Sequence, residues 1–183
     1  MTGDITLEDV YRAVPWPSTV DVIKVSGATL KSILEHSVRD YNPNNEDPGG
    51  RFLQISGLIV HYDIRNPIGE RVISIKVGQP NQSPETLPSV FDEKIYNVSL
   101  PSYLITGGDG YKMIPEHLIY HKNTGFLMQD LVTHFVENNS PIKMPISGRI
   151  VFKSTTSGQL KSEVTFYYYI MDIVLLMTWL MLS

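Results

Sequence analysis

The sequence predicts an α+β domain with helices around a mixed sheet over residues 1–153, followed by a polar spacer and an apolar tail over 154–183. Segments in which apolar residues recur at helical spacing are interspersed with segments of strict alternation, the pattern of helices and strands sharing one core. Two alternating segments are separated by a short Pro/Gly turn, which makes them an antiparallel hairpin. A chain of 183 residues, 42% hydrophobic and 19% charged, is long enough to bury such a core without a second one.

In chain order, Thr6-Leu7-Glu8-Asp9 reads as a capping box, in which a Thr hydroxyl and an acidic side chain three residues on serve each other's backbone N–H groups. Leu7, Val10, Tyr11 and Val14 follow at i, i+3, i+4 and i+7, one face of a short helix that Pro15-Trp16-Pro17 stops. Residues 20–25 read as a strand. Ser26-Gly27 opens a second helix with the stripe Leu30, Ile33, Leu34, Val38 and Tyr41, leaving Lys31 and Glu35 outside it. The Asn/Pro/Gly/Asp-rich stretch 42–51 is a loop, because those residues favour turn conformations.

Leu58, Val60, Tyr62 and Ile64 then alternate, as do Ile73, Ile75 and Val77, and the turn 65–69 joins the two runs. A second loop over 78–89 precedes a strand at 95–100, with Gly107-Gly108-Asp109-Gly110 soon after. The spacing of Leu127, Leu131 and Phe135 predicts a third helix over 124–136, and 148–152 reads as a closing strand.

A formal net charge of -4 argues against a surface that neutralises nucleic-acid phosphates. The absence of cysteine excludes disulfides and Cys-based zinc or redox sites. His36, His61, His117, His121 and His134 form no HxH or HExxH pair and read as surface or packed residues. The segment between His117 and His121 reads as strand as readily as helix. Neither a nucleophile elbow nor a Walker loop is present, so no catalytic or metal-binding residue is expected in this chain.

Three glycines around Asp109 let backbone approach a ligand while the carboxylate accepts hydrogen bonds, and equally suit a tight turn in which Asp109 bonds its own backbone. Trp16 and Tyr103 flank loops. Each offers a flat face to a nucleobase, or packs in the core.

Several pieces together carry a resemblance. They are Gly3-Asp4-Ile5-Thr6, Pro15-Trp16 with Thr19 and Asp21, Gly27-Ala28-Thr29-Leu30, and Glu35-His36-Ser37. They continue with the stretch from Gly49 to Gly57, Leu100-Pro101-Ser102-Tyr103-Leu104 joined to the GGDG loop and Tyr111, and Gly148-Arg149-Ile150. In order and spacing the chain resembles the C-terminal domain of the ecto-5′-nucleotidases and related apyrases of the metallophosphoesterase type. That resemblance implies a two-domain hydrolase whose N-terminal domain holds two divalent metals, zinc by expectation, while the C-terminal domain holds the nucleoside.

By the same resemblance, Trp16 and Tyr103 stack the base, both at positions more often Phe, and Asp109 holds the ribose hydroxyls. Gly107, Gly108 and Gly110 support the loop. Pro17-Ser18 departs from the smaller, polar residues common after the Trp16 position. The resemblance implies that this domain binds no cofactor of its own and that the metal ligands, the catalytic Asp/His pair and a phosphate-side Gly-Gly-Gly-Ile-Arg stretch belong upstream of Gly3. The expected substrate is a nucleoside 5′-monophosphate. An apyrase taking ATP and ADP, or a non-catalytic nucleotide-binding surface module, are the alternatives, and the partners expected are the N-terminal domain, a membrane through a lipid anchor, and a second copy in a homodimer.

Met1 to Ile5 has neither the basic nor the apolar region of a secretory signal, which is expected upstream. The apolar stretch 164–182 is about as long as a bilayer-spanning helix needs, yet Asp172 near its middle would cost about 2.5–3.5 kcal/mol and no basic residue follows it. Small residues, a polar spacer and an apolar end instead predict a GPI-anchor signal with attachment at Ser154, and Ser157 second. Asn-x-Ser sequons stand at Asn81, Asn97 and Asn138, of which Asn97 is the expected glycosylation site because prolines follow the other two. The expected location is the extracellular face of the plasma membrane.

Overall fold

A computed structural model describes residues 3–44, 50–79, 81–83, 85–143 and 147–153, so Ser154, Ser157 and the tail fall outside the described residues. The capping box forms as the sequence predicts. The Thr6 hydroxyl accepts the Asp9 N–H at 3.2 Å and the Asp9 carboxylate takes the Thr6 N–H at 2.9 Å, starting α1 (Leu7–Ala13). Of the expected apolar face only Val10 and Val14 turn inward, with Ala13, whereas Leu7 and Tyr11 are exposed. That inner edge packs against α5 (Met128–Asn139) through Met128, Leu131 and Val132.

The expected α+β architecture with a mixed sheet is present, its strands divided between two three-stranded sheets. In the first, β1 (Val20–Ser26) is central, paired antiparallel with β4 (Ile95–Pro101) and with β5 (Tyr120–Lys122). The second is mixed: β2 (Leu58–Tyr62) pairs antiparallel with β3 (Val72–Val77) and parallel with β6 (Ile150–Phe152). The expected hairpin is β2–β3. A register shift between His61 and Tyr62 pairs Tyr62 with Val72, so Val72 turns inward and Ile73, expected inside, lies outside at 52% exposure.

Between the sheets' cores runs α2 (Gly27–Ser37), capped by the Ser26 hydroxyl on the Thr29 N–H. Leu30 and Ile33 pack with β1 and β4 residues, while Leu34 and Val38 pack with β2 and β3 residues. The helix ends at Ser37, earlier than its apolar stripe suggests, and Tyr41 stacks instead on Phe152 with ring centroids 4.4 Å apart. Glu35 is buried although it lies off that stripe. Its carboxylate accepts the N–H groups of Arg71 at 2.9 Å and Val72 at 2.7 Å, so a buried charge is satisfied by backbone at the start of β3.

Helix α5 begins at Met128, later than the leucine spacing suggests. The preceding residues are held extended along β1. Thr124 Oγ1 donates to the Val20 carbonyl, the Val20 N–H donates to the Phe126 carbonyl, and Leu127 bridges to Thr19. Strand β5 and the four-residue helices α3 (Ser102–Ile105) and α4 (Met113–Glu116) are too short to leave a periodic signature.

Candidate functional site

At one end of the β1–β4 ladder Val20 faces Pro101, and just beyond it the Ser102 N–H donates to the Thr19 carbonyl at 2.8 Å. The turn carrying Trp16 and the helix α3 carrying Tyr103 therefore leave the sheet side by side. Both rings point away from the core: Trp16 is 69% exposed and Tyr103 51%.

The Trp16 turn is held by backbone rather than by its ring. Prolines 15 and 17 fix φ on either side. The Trp16 carbonyl accepts the Ser18 N–H at 2.9 Å and the Gln129 side-chain amide at 3.0 Å, and the same Nε2 also donates to the Val14 carbonyl at 3.0 Å. Gln129 is buried on α5, so the helix that packs against α1 also pins the turn that follows α1.

The GGDG loop is bound to Tyr103. The phenol donates to Asp109 Oδ1 at 3.0 Å and accepts the Asp109 N–H at 3.2 Å. A Cβ on Gly108 would lie 2.5 Å from the Tyr103 ring, so the ring rests where only glycine leaves room. Asp109 itself has φ 50°, the one non-glycine with positive φ among the described residues. From the α2 side, His36 Nε2–H donates to the Asp109 carbonyl at 2.9 Å, and the His36 ring meets Tyr111 edge-on at 4.6 Å. Tyr111 is fully buried, which pushes its phenol pKa up, and its hydroxyl donates to the Arg51 carbonyl.

The site so assembled is two exposed aromatic faces with an ionisable carboxylate beside one of them, on a loop braced from below. Its carboxylate bonds a neighbouring side chain through Oδ1, while among the described residues no hydrogen bond reaches Oδ2. Among the described residues no group of three His, Asp or Glu side chains is placed to hold a metal ion. Asn97 is exposed on β4, an edge strand, opposite Lys24.

Two features had no readable sign in the sequence, and a third left only a faint one. The Asp21 carboxylate, fully buried on β1, lies 2.7 Å from His121 Nε2 on β5. The residues are 100 apart in sequence, so no local spacing announces the pair. The other two are the Gln129 pin and the Tyr103–Asp109 contact. A tyrosine six residues before an aspartate, in a glycine loop, is the only hint of the last.

The family described as 5′-nucleotidase, C-terminal domain, matches residues 1–116. Rat 5′-nucleotidase is 34% identical over 157 residues, covering 86% of this chain and 26% of the rat protein. Human 5′-nucleotidase is 34% identical over 153 residues, covering 83% of this chain and 26% of the human protein. Snake venom 5′-nucleotidase of Macrovipera lebetinus is 34% identical over 163 residues, 89% of this chain and 39% of that protein. The crystal structure of a 5′-nucleotidase precursor from Thermus thermophilus superposes with a TM-score of 0.71 at 28% identity, over 81% of this chain and 28% of that one. The chain thus spans between 26% and 39% of the length of these three relatives.

Proposed function

Since the chain belongs to the 5′-nucleotidase C-terminal domain family, we propose that it is the nucleoside-gripping part of a 5′-nucleotidase that releases phosphate from extracellular nucleoside 5′-monophosphates. The observation that carries this reading is the shared exit of Trp16 and Tyr103 from one end of the β1–β4 ladder, both rings exposed, with Asp109 bonded to Tyr103. Each stacked base is worth about 1–3 kcal/mol, and hydrogen bonds to a charged acceptor about 1.5–3 kcal/mol.

The work of this domain is binding and orientation. Trp16 and Tyr103 hold the base between their faces, Asp109 takes the ribose hydroxyls, and the 5′-phosphate is thereby directed outward to the catalytic half. Two divalent metal ions, held by that half, supply the Lewis acid and the attacking hydroxide when bound. In the same reading the mature chain ends at Ser154 on a lipid anchor at the outer face of the plasma membrane. Phosphatidylinositol-specific phospholipase is expected to release it from cells expressing the protein behind a signal peptide, and retention with intact tail peptides argues for a membrane span.

The clamp is tested in the enzyme that contains this domain. Trp16→Ala and Tyr103→Ala should each raise KM for AMP by about 5- to 150-fold with the melting temperature nearly unchanged. A large fall in melting temperature with unaltered kinetics in the folded fraction overturns the reading, since it would make both rings packing residues.

A further inference from the structure

A phenylalanine at position 103 would offer a base the same π-face as tyrosine. What tyrosine adds is one hydroxyl, and that hydroxyl is engaged twice by a single residue: it donates to Asp109 Oδ1 at 3.0 Å and accepts the Asp109 N–H at 3.2 Å. Neither partner has much freedom to leave. The ring is seated against Gly108, where a Cβ would lie 2.5 Å from it, and the Asp109 backbone is fixed at φ 50° with its carbonyl bonded to His36 at 2.9 Å.

An ionised carboxylate has about four lone-pair sites. The phenol occupies one of them on Oδ1, which fixes the rotation of the carboxylate and leaves Oδ2 and the second site of Oδ1 as an oriented pair of acceptors. Two hydroxyls on adjacent carbons fit such a pair. One hydroxyl uses half of it. Without the phenol the carboxylate turns freely about its side-chain bonds, and a ligand must immobilise it before both bonds form.

We propose that the Tyr103 hydroxyl is a specificity-determining group that presets Asp109 for a vicinal diol, so that this domain distinguishes ribonucleosides from 2′-deoxyribonucleosides. This rests on the reading of Trp16, Tyr103 and Asp109 as a nucleoside clamp. Tyr103 therefore has two separable roles: its ring face serves the base, and its hydroxyl acts through Asp109 as a positioning group for the sugar.

The test is binding of adenosine, 2′-deoxyadenosine and adenine to the full 183-residue chain in detergent micelles, by equilibrium dialysis. The wild-type chain should hold adenosine about 10-fold more tightly than 2′-deoxyadenosine, the worth of one hydrogen bond to a charged acceptor. Tyr103→Phe should narrow that ratio to about 2-fold with the melting temperature as in wild type. A ribose-to-deoxyribose ratio in Tyr103→Phe equal to or larger than that of wild type overturns the proposal and leaves the clamp standing. The clamp itself fails on a different result: Tyr103→Ala binding adenine as tightly as wild type, or no binding of any of the three compounds by the wild-type chain.

Discussion

Glu35 and Val72 are joined by a 2.7 Å hydrogen bond from the Val72 N–H to the Glu35 carboxylate, which ties α2 to the first residue of β3. The second carboxylate oxygen takes the Arg71 N–H at 2.9 Å, so one buried side chain satisfies two consecutive backbone donors where the edge strand begins.

Glu35→Ala should destabilise the domain by about 2–4 kcal/mol, because it leaves buried donors unpaired. Glu35→Gln should cost less, since its single carbonyl oxygen still accepts. Urea unfolding of the two variants measures both, and a loss below about 0.5 kcal/mol for Glu35→Ala would show that water replaces the carboxylate.

Gln129→Leu should loosen the Trp16 turn, as both carbonyls that its amide serves lose their donor. The expected loss of stability is about 1–3 kcal/mol. Because the sequence has one other tryptophan, Trp179, a Trp179→Phe background reports on Trp16 alone. Its fluorescence anisotropy should fall in Gln129→Leu. Unchanged anisotropy would mean that Pro15 and Pro17 hold the ring without help.

Asp63 is buried against Arg65, whose guanidinium holds the carboxyl down to about 2. Its unfolded value is about 3.9, so the bound proton is favoured in the unfolded chain. The stability that the ionised group contributes is present in full above about pH 4 and is lost as pH falls toward 2. Asp63→Asn should thus be less stable than wild type at pH 7, and the gap should close between about pH 4 and 2. Urea midpoints at several pH values check this; a gap independent of pH would assign the effect to packing.

Asp21 and His121 should show coupling. Among the described residues, His121→Ala leaves the buried Asp21 carboxylate with only the long 3.4 Å approach of the Thr124 N–H in place of its 2.7 Å partner, and should cost about 1.5–3 kcal/mol. Adding Asp21→Ala should then cost less than it does alone. A double-mutant cycle with a coupling energy under about 0.5 kcal/mol would show that the two side chains act independently.

Much of the fold was legible because the signals were local. Thr6 and Asp9 cap α1 three residues apart, and the β2–β3 hairpin announces itself through alternation about a short turn. What failed to show depends on pairing at a distance. Ile73 reads as a core residue until the register shift at Tyr62 turns it outward, and Leu127 reads as helix until Thr19 bridges to it. Glu35 lies off an apolar stripe, and only the arrival of β3 gives its burial a reason. For the candidate site, the glycines and the aromatic residues could be singled out, whereas the Tyr103 hydroxyl bond needs α3 and the loop folded back on each other.

The pairing of both sheets bears on how the domain is made. Each takes its third strand from late in the chain: β5 at Tyr120–Lys122 completes the first, and β6 at Ile150–Phe152 completes the second by lying parallel to β2. Until the ribosome has delivered residue 152, the outer side of β2 presents unpaired backbone groups of the kind that recruit foreign strands. Closing these long-range pairs is entropically slow, so a nascent chain would pass through an interval in which an aggregation-prone edge is open. Emergence into a chaperone-rich compartment would shield that edge, and released chains ending before 150 should be held by chaperones far longer than released chains ending after 152.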